Sequence, residues 1–425
     1  MLSLIGIYME RCSRLARIRK MNNWIEVREL SVKSLFIIGF ACCVMSQGAL
    51  AATFTPNPSV DRSLRTIDKC EEVTLSRCPA LKLAINRGPG QVPYLAQVIE
   101  NSDMPALRRS AAYVLQFFPQ EEGLKALAMQ FNRERNRGVR KALRAALGVR
   151  GEGPLLRLVR ELYKSKEPGD RVIASNLIGE FSLHSGSADL VSASRDSVPR
   201  VQYAAVTAMG KINVSPEVSR TLYLLLGDQR TPWTLRQKAI ITTGELNMVD
   251  AAPLVALAFG NTEKEVQKAA CKVLAGFNSQ WATPALISLL SDPDVAGTAA
   301  IALSELGDKS ASAPLISVLS NEQMPFREMV QVLWALGTLE AEDAVPTLLA
   351  MLKHENADLV YHVANNLGRI KSREATLPLI MTMKHEREQI RDIALWSLEQ
   401  ITGEKHGFEN EKWLQWYKSK STSNP

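Results

Sequence analysis

Along most of the chain the apolar residues recur at i, i+3, i+4 and i+7, as in VRKALRAALG (139–148) and LRQKAIITTG (235–244). That spacing gathers them on one face of a 3.6-residue helix, so each stretch predicts an amphipathic helix with one buried side. Shorter apolar stretches alternate with them: TPALISLL (283–290), APLISVL (313–319), VPTLLAML (345–352) and LPLIMTM (377–383). Each has a proline near its start, where a helix tolerates the missing N–H. Polar turns such as SDPD (291–294) and GDQRTP (227–232) separate the two kinds. Period-two alternation is scarce and aromatics are only 6% of residues, which argues against a large sheet.

The second stretches form a register. They end at 116, 148, 179, 210, 244, 276, 307, 337, 368 and 399, at spacings of 32, 31, 31, 34, 32, 31, 30, 31 and 31 residues. Neither helix of such a unit can bury its stripe alone, so neighbouring units must stack into one continuous core. The prediction is an all-α fold, an α-solenoid of about ten helix pairs. Eight of the ten segments close on glycine, which suits a left-handed helix C-cap. The first ends on Gln116 and the last on Glu399, as expected of terminal units.

The turn aspartates Asp103, Asp196, Asp228 and Asp292, and the arginines Arg108, Arg140, Arg171, Arg236 and Arg391 eight positions before the closing residue, resemble HEAT repeats of the phycobilisome-lyase type. The small Ala-Ala pair and the Leu-Gly ending share in the likeness, which covers roughly residues 90–402. It implies a superhelix whose second helices line a concave surface. Members of that family range from chromophore lyases to bare scaffolds, so the resemblance leaves function open. Residues 52–89 read as an N-terminal cap. Residues 403–417, with Trp413, Trp416 and Tyr417 on one face, read as a hydrophobic lid, and residues 418–425 as a disordered tail.

Charge and cysteines bear on where the chain works. Residues 1–51 hold seven Lys/Arg against three Asp/Glu, which is +4 of the formal +7; the remaining 44 basic and 41 acidic residues nearly cancel. Overall basicity is therefore poor evidence for nucleic-acid binding. The basic stretch precedes an apolar run, LFIIGFACCVM (35–45), and Ala49-Leu50-Ala51, the plan of a signal peptide cleaved after Ala51. Met21 offers an alternative start with a leader of ordinary length. Export to the periplasm follows as the expectation. Cys70 and Cys78 would lie about 12 Å apart on a straight helix, too far to bridge. A turn between them permits a disulfide, in keeping with an oxidising compartment. Cys271 reads as a small buried residue.

Candidate chemistry is sparse. No G-x-S-x-G, G-x-x-x-x-G-K-[ST], H-E-x-x-H or C-x-x-C motif occurs. Five histidines are present: His184, His354, His362, His385 and His406. His354 and His385 stand in two Lys-His-Glu triplets one repeat period apart, which makes them weak metal-ligand candidates. Deoxyhypusine hydroxylase, a HEAT-type di-iron enzyme, carries its His-Glu pairs on the second helix, seven and six residues before the glycine. At that register this chain has Tyr361 and His362, then Asp392 and Ile393, so the triplets read as polar turns, with Asn356 a helix N-cap.

One feature points to a partner. Residues 133–166 hold eleven Lys/Arg against three Asp/Glu, whereas 171–425 hold 24 against 28. Arg137, Arg140, Lys141 and Arg144 lie off the apolar stripe of their helix and form the candidate binding surface, for an acidic protein, a lipid headgroup or an anionic glycan. The leading reading is a non-enzymatic protein–protein interaction scaffold of the bacterial envelope, with no cofactor. A metal-dependent or lyase-like enzyme and a nucleic-acid or other polyanion binder are the alternatives.

Overall fold

The computed structural model describes residues 56–321 and 323–421. The expected leader over 1–51, its cleavage site, and residues 422–425 lie outside these. Ser59 onward forms one compact unit, and only residues 56–58 of the other unit are described.

All regular structure among the described residues is helical. Two helices come first, α1 (Pro58–Ile67) and α2 (Pro79–Asn86). Ten pairs follow. The first five are α3/α4 (Val92–Asn101, Pro105–Leu115), α5/α6 (Glu121–Arg133, Arg137–Gly148), α7/α8 (Glu152–Tyr163, Pro168–Glu180), α9/α10 (Ser187–Ala193, Pro199–Met209) and α11/α12 (Pro216–Gly227, Trp233–Glu245). The second five are α13/α14 (Ala252–Ala256, Lys264–Gly276), α15/α16 (Thr283–Leu289, Ala296–Leu306), α17/α18 (Ser312–Val318, Phe326–Thr338), α19/α20 (Val345–Met351, Ala357–Ile370) and α21/α22 (Thr376–Thr382, Glu388–Thr402). The last helix is α23 (Asn410–Ser421), which runs past residue 417, so 418–421 are helical rather than tail.

The predicted pairs are therefore present, and the fold is an all-α solenoid. Side-chain oxygens at Asn136, Ser215 and Asn356 accept backbone N–H groups at the starts of α6, α11 and α20, which satisfies donors the helix itself leaves orphaned. In the last five units a three-residue 3-10 turn precedes the first helix, as at Val249–Ala251 and Glu342–Ala344. The apolar stripes of both helix sets are buried, with Leu95, Leu127, Leu222 and Leu286 of the first helices and Leu147, Leu177, Leu274 and Leu367 of the second almost without exposure.

The closing glycines do something other than expected. Of the eight, only Gly307 is left-handed, at φ 69°. A Cβ on Gly368 would stand 2.8 Å from the Cα of Ser397, one on Gly179 3.0 Å from the Cα of Ala208, and one on Gly244 2.9 Å from Val273 Cγ2. Each glycine thus lets one second helix approach the second helix of the next unit. The left-handed turn comes later, at Ser182, Asn247, Asn278, Glu340 and Lys371, with φ between 49° and 59°. Four of these close Schellman motifs: the N–H of Leu183, Met248, Ser279 and Ala341 donates to the carbonyl five residues back, at 2.9–3.1 Å.

Second-helix packing runs from unit to unit, with one weak joint. Helix α8 leans on α5, where Asn176 donates to Asn132 at 2.8 Å and the rings of Phe131 and Phe181 lie 5.8 Å apart. Its link to α6 is a long one, Arg144 to Glu180. At Gly148, the glycine of this joint, an added Cβ would meet nothing nearer than Phe181 at 4.0 Å.

Candidate partner-binding surface

The Arg and Asp positions of the repeat form a ladder through the inter-helix turns. Arg171 donates to the carbonyl of Ser165 in its own turn and, through both remaining nitrogens, to Asp196 in the next unit's turn at 2.7 and 3.0 Å. Arg108 does the same with Ser102 and Glu134, and Lys264 bonds Asp292. Among the described residues, Gln202, Arg236, Gln267 and Arg391 donate only to backbone carbonyls of their own unit. The arginine beside Asp196 pulls that carboxyl below its ordinary range, helped by the Val198 N–H. Burial alone would raise Glu134, but hydrogen bonds from Arg108, Gln130 and the Asn136 N–H outweigh it and hold it at about 2. These residues fix the register of neighbouring turns. They are committed to the fold rather than offered to a partner.

The two Lys-His-Glu triplets belong to the same turns. His354 Nδ1 accepts the Asn356 N–H at 2.9 Å, and His385 Nδ1 accepts the Arg387 N–H at 3.0 Å. Asp196, Asp228, Asn261, Asp292 and Asn321 make the equivalent bond, side-chain oxygen to the N–H two residues on, at 2.8–3.1 Å. The imidazoles stand in for Asx side chains. Among the described residues no group of three His, Cys, Asp or Glu is placed to hold a metal ion.

The four basic residues of α6 are exposed but not equivalent. Arg140 lies over the Phe131 ring at 4.4 Å and donates to the Phe131 carbonyl. Arg144 is paired with Glu180. Arg137 and Lys141 have no ion-pair partner among the described residues, so they carry the free charge, beside the weak joint between α6 and α8. Cys70 and Cys78 are joined as a disulfide, Cα atoms 5.7 Å apart, because the chain turns between α1 and α2. Cys271 is buried on α14, and desolvation pushes its thiol up to about 12.

Sequence reasoning passed over the second-helix surface of the C-terminal half. Trp334 on α18 and Trp396 on α22 occupy the same register, three residues before the closing position, and are 40% and 38% exposed. Between them α20 presents Tyr361 and His362, whose rings meet edge-on at 5.4 Å, and Arg369 lies 5.4 Å from the Trp334 ring. Burial lowers the His362 imidazole's proton affinity. The signal was available in the repeat register, which puts Trp334 and Trp396 opposite the buried stripe, while Tyr361 leans on the buried Ala357, Val360 and Ile390.

Two depressions adjoin on that surface. One of about 510 Å³ lies between α12 and α14, floored by Ile241, Val273 and Phe277. The other, about 520 Å³, spans α14, α16 and α18 over Thr298, Ile301 and Ala302. They share Glu265, Lys268 and Lys272.

The family model of HEAT repeats matches residues 251–332 and 327–399. Residues 251–399 are HEAT repeats. Among solved structures, Kap121p is similar with a TM-score of 0.53 and 14% identity, over 83% of this chain and 46% of that one. The karyopherin Kap121p bound to the extreme C-terminus of the protein phosphatase Cdc14p gives 0.50 and 15%, over 86% and 47%. The chain thus spans about half the length of these HEAT-type solenoids. At such identities the likeness is one of fold. No curated protein matches the chain in sequence.

Proposed function

We propose that this chain is a non-enzymatic scaffold that binds protein partners along its second-helix surface, and that its HEAT repeats are of the phycobilisome-lyase type. The observation that carries the reading is the division of labour among polar groups. The Arg–Asp ladder and the turn histidines His354 and His385 are consumed in turns, whereas the unpaired Arg137 and Lys141, the exposed Trp334 and Trp396 and two adjoining depressions lie on the second helices. Karyopherin Kap121p, a solenoid of similar fold, binds the C-terminus of a phosphatase. That precedent makes an extended protein segment a reasonable ligand class for such a surface. The reading includes export through residues 1–51 and work in the bacterial envelope, supported by the leader pattern and by the joined Cys70 and Cys78. Among the described residues no helix is long and apolar enough to cross a membrane.

Crosslinking in intact cells followed by mass spectrometry of the captured partners tests it. Crosslinks should concentrate on second helices. Charge reversal at Arg137 and Lys141 should weaken capture of any partner held at α6. Crosslinks confined to the first helices count against the surface, and a cytoplasmic location with the leader retained counts against export.

A further inference from the structure

Helix α16 differs from every other second helix. Up to Glu305, AGTAAIALSEL (296–306) carries no charged or long polar side chain and only Ile301 is not buried, so the helix recedes while the long side chains of α14 and α18 overhang it. The result is a cleft with polar walls over a floor of Thr298, Ile301 and Ala302. Its charges are unequally committed. Glu265 is paired with Lys268 at 3.6 Å. Glu328, 9% exposed, accepts the Gly297 N–H at 2.9 Å, where it complements the start of α16. Lys272 and Arg327 are exposed and have no carboxylate partner among the described residues, which leaves two free cations against Glu305. Lys268 and Lys272 also border the depression between α12 and α14, whose floor of Ile241, Val273 and Phe277 is apolar.

We propose that this double depression binds an extended peptide segment carrying an acidic residue a few positions from an apolar one, the carboxylate between Lys272 and Arg327 and the apolar side chain over Ile241, Val273 and Phe277. The proposal rests on the scaffold reading above and names the ligand class and its place. Adjacent helix axes lie about 8–10 Å apart and an extended chain advances about 3.3 Å per residue. The two anchors therefore call for a separation of roughly two to four residues. Main-chain amides of the segment face polar walls, Gln237 and Gln331 among them, that offer hydrogen bonds.

Panning a phage library of random dodecapeptides on the immobilised full chain, then measuring the selected peptides by fluorescence anisotropy, tests it. Selected peptides should share an Asp or Glu two to four positions from a Leu, Ile, Val, Met or Phe. Lys272→Glu with Arg327→Glu, and separately Ile241→Asp, should each weaken binding by about tenfold or more; Arg137→Glu with Lys141→Glu should not. These positions are exposed, and unchanged far-UV circular dichroism melts confirm the fold. The milder Lys272→Ser with Arg327→Ser repeats the test without added acids. Peptides that bind equally well to the Lys272/Arg327 variants overturn this site, and loss of binding in the Arg137/Lys141 variant instead would move it to α6; in both cases the scaffold reading stands. Failure to select any peptide overturns the site, while the crosslinking above decides the scaffold reading independently.

Discussion

Gly368 sits where an added Cβ would stand 2.8 Å from the Cα of Ser397 on α22, and Gly276 occupies the same repeat position on α14 with nothing within 4 Å of an added Cβ. The same residue in the same register thus has two different physical contents. Gly368→Ala must push against the Cα of Ser397, an overpacking that should cost about 1–3 kcal/mol. Gly276→Ala should be neutral or slightly stabilising, because alanine is the better helix former. Urea unfolding of both variants checks the contrast, and equal effects would remove the close-approach account.

At the same scale, Arg108 and Glu134 form a pair with side chains only 13% and 3% exposed. Arg108→Ala leaves a buried carboxylate unpaired and should destabilise by about 3–5 kcal/mol. The folded-state pKa of Glu134 lies near 2, below the ordinary 4.5. Its contribution to stability is therefore complete above about pH 4.5 and is lost as pH falls from there towards 2. Glu134→Gln should flatten the urea midpoint between pH 5 and pH 3 relative to the parent chain.

At the scale of the element, helix endings show what a single residue's φ decides. Lys371 ends α20 and Glu340 follows α18 in the left-handed region, where a Cβ costs about 1–2 kcal/mol. Lys371→Gly or Glu340→Gly should raise stability by up to about 1 kcal/mol, since part of the gain is offset by the freer unfolded chain. A lowered melting temperature in both would refute the account. The closing glycines were legible as conserved in register along the array but not in role, because a helix-ending glycine and a helix-crossing glycine look identical in sequence. The turn histidines were legible for the opposite reason. Their place in the period already put them where other units carry Asp or Asn, and the structure shows the same N–H acceptor duty.

At the scale of the whole molecule, a stack of units needs ends. Trp413 on α23 is fully buried, donates its indole N–H to the Gly407 carbonyl at 2.8 Å and meets the His406 ring edge-on at 4.8 Å. Helix α23 packs on α21, the first helix of the last unit. Trp413→Ala should cost about 3–5 kcal/mol locally and unfold the last unit before the rest, as nearest-neighbour arrays do; hydrogen exchange that rises first over residues 376–402 would show it. At the other end, reducing the Cys70–Cys78 bond frees a loop of sequence separation 8, an effect of about 2–3 kcal/mol in the chain-entropy picture. That loss should appear in α1 and α2 and not in the array.

The amino-acid sequence by itself determined the helices, their pairing, the period and the turn chemistry, because each of these is a local consequence of spacing. An apolar stripe every 3.6 residues, a proline at a first turn and an Asx side chain before an N–H act within one unit, and repetition multiplies the signal ten times. Only the tertiary structure decided which glycines bear contacts, which arginines are spent on Asp196, Glu134 or Glu180, and that Arg137, Lys141, Lys272 and Arg327 have no carboxylate partner among the described residues. It also decided that α16 recedes and opens a cleft between its neighbours. These depend on distances between side chains about 30 residues apart, set by how one unit is laid on the next, and no pattern within a unit contains them.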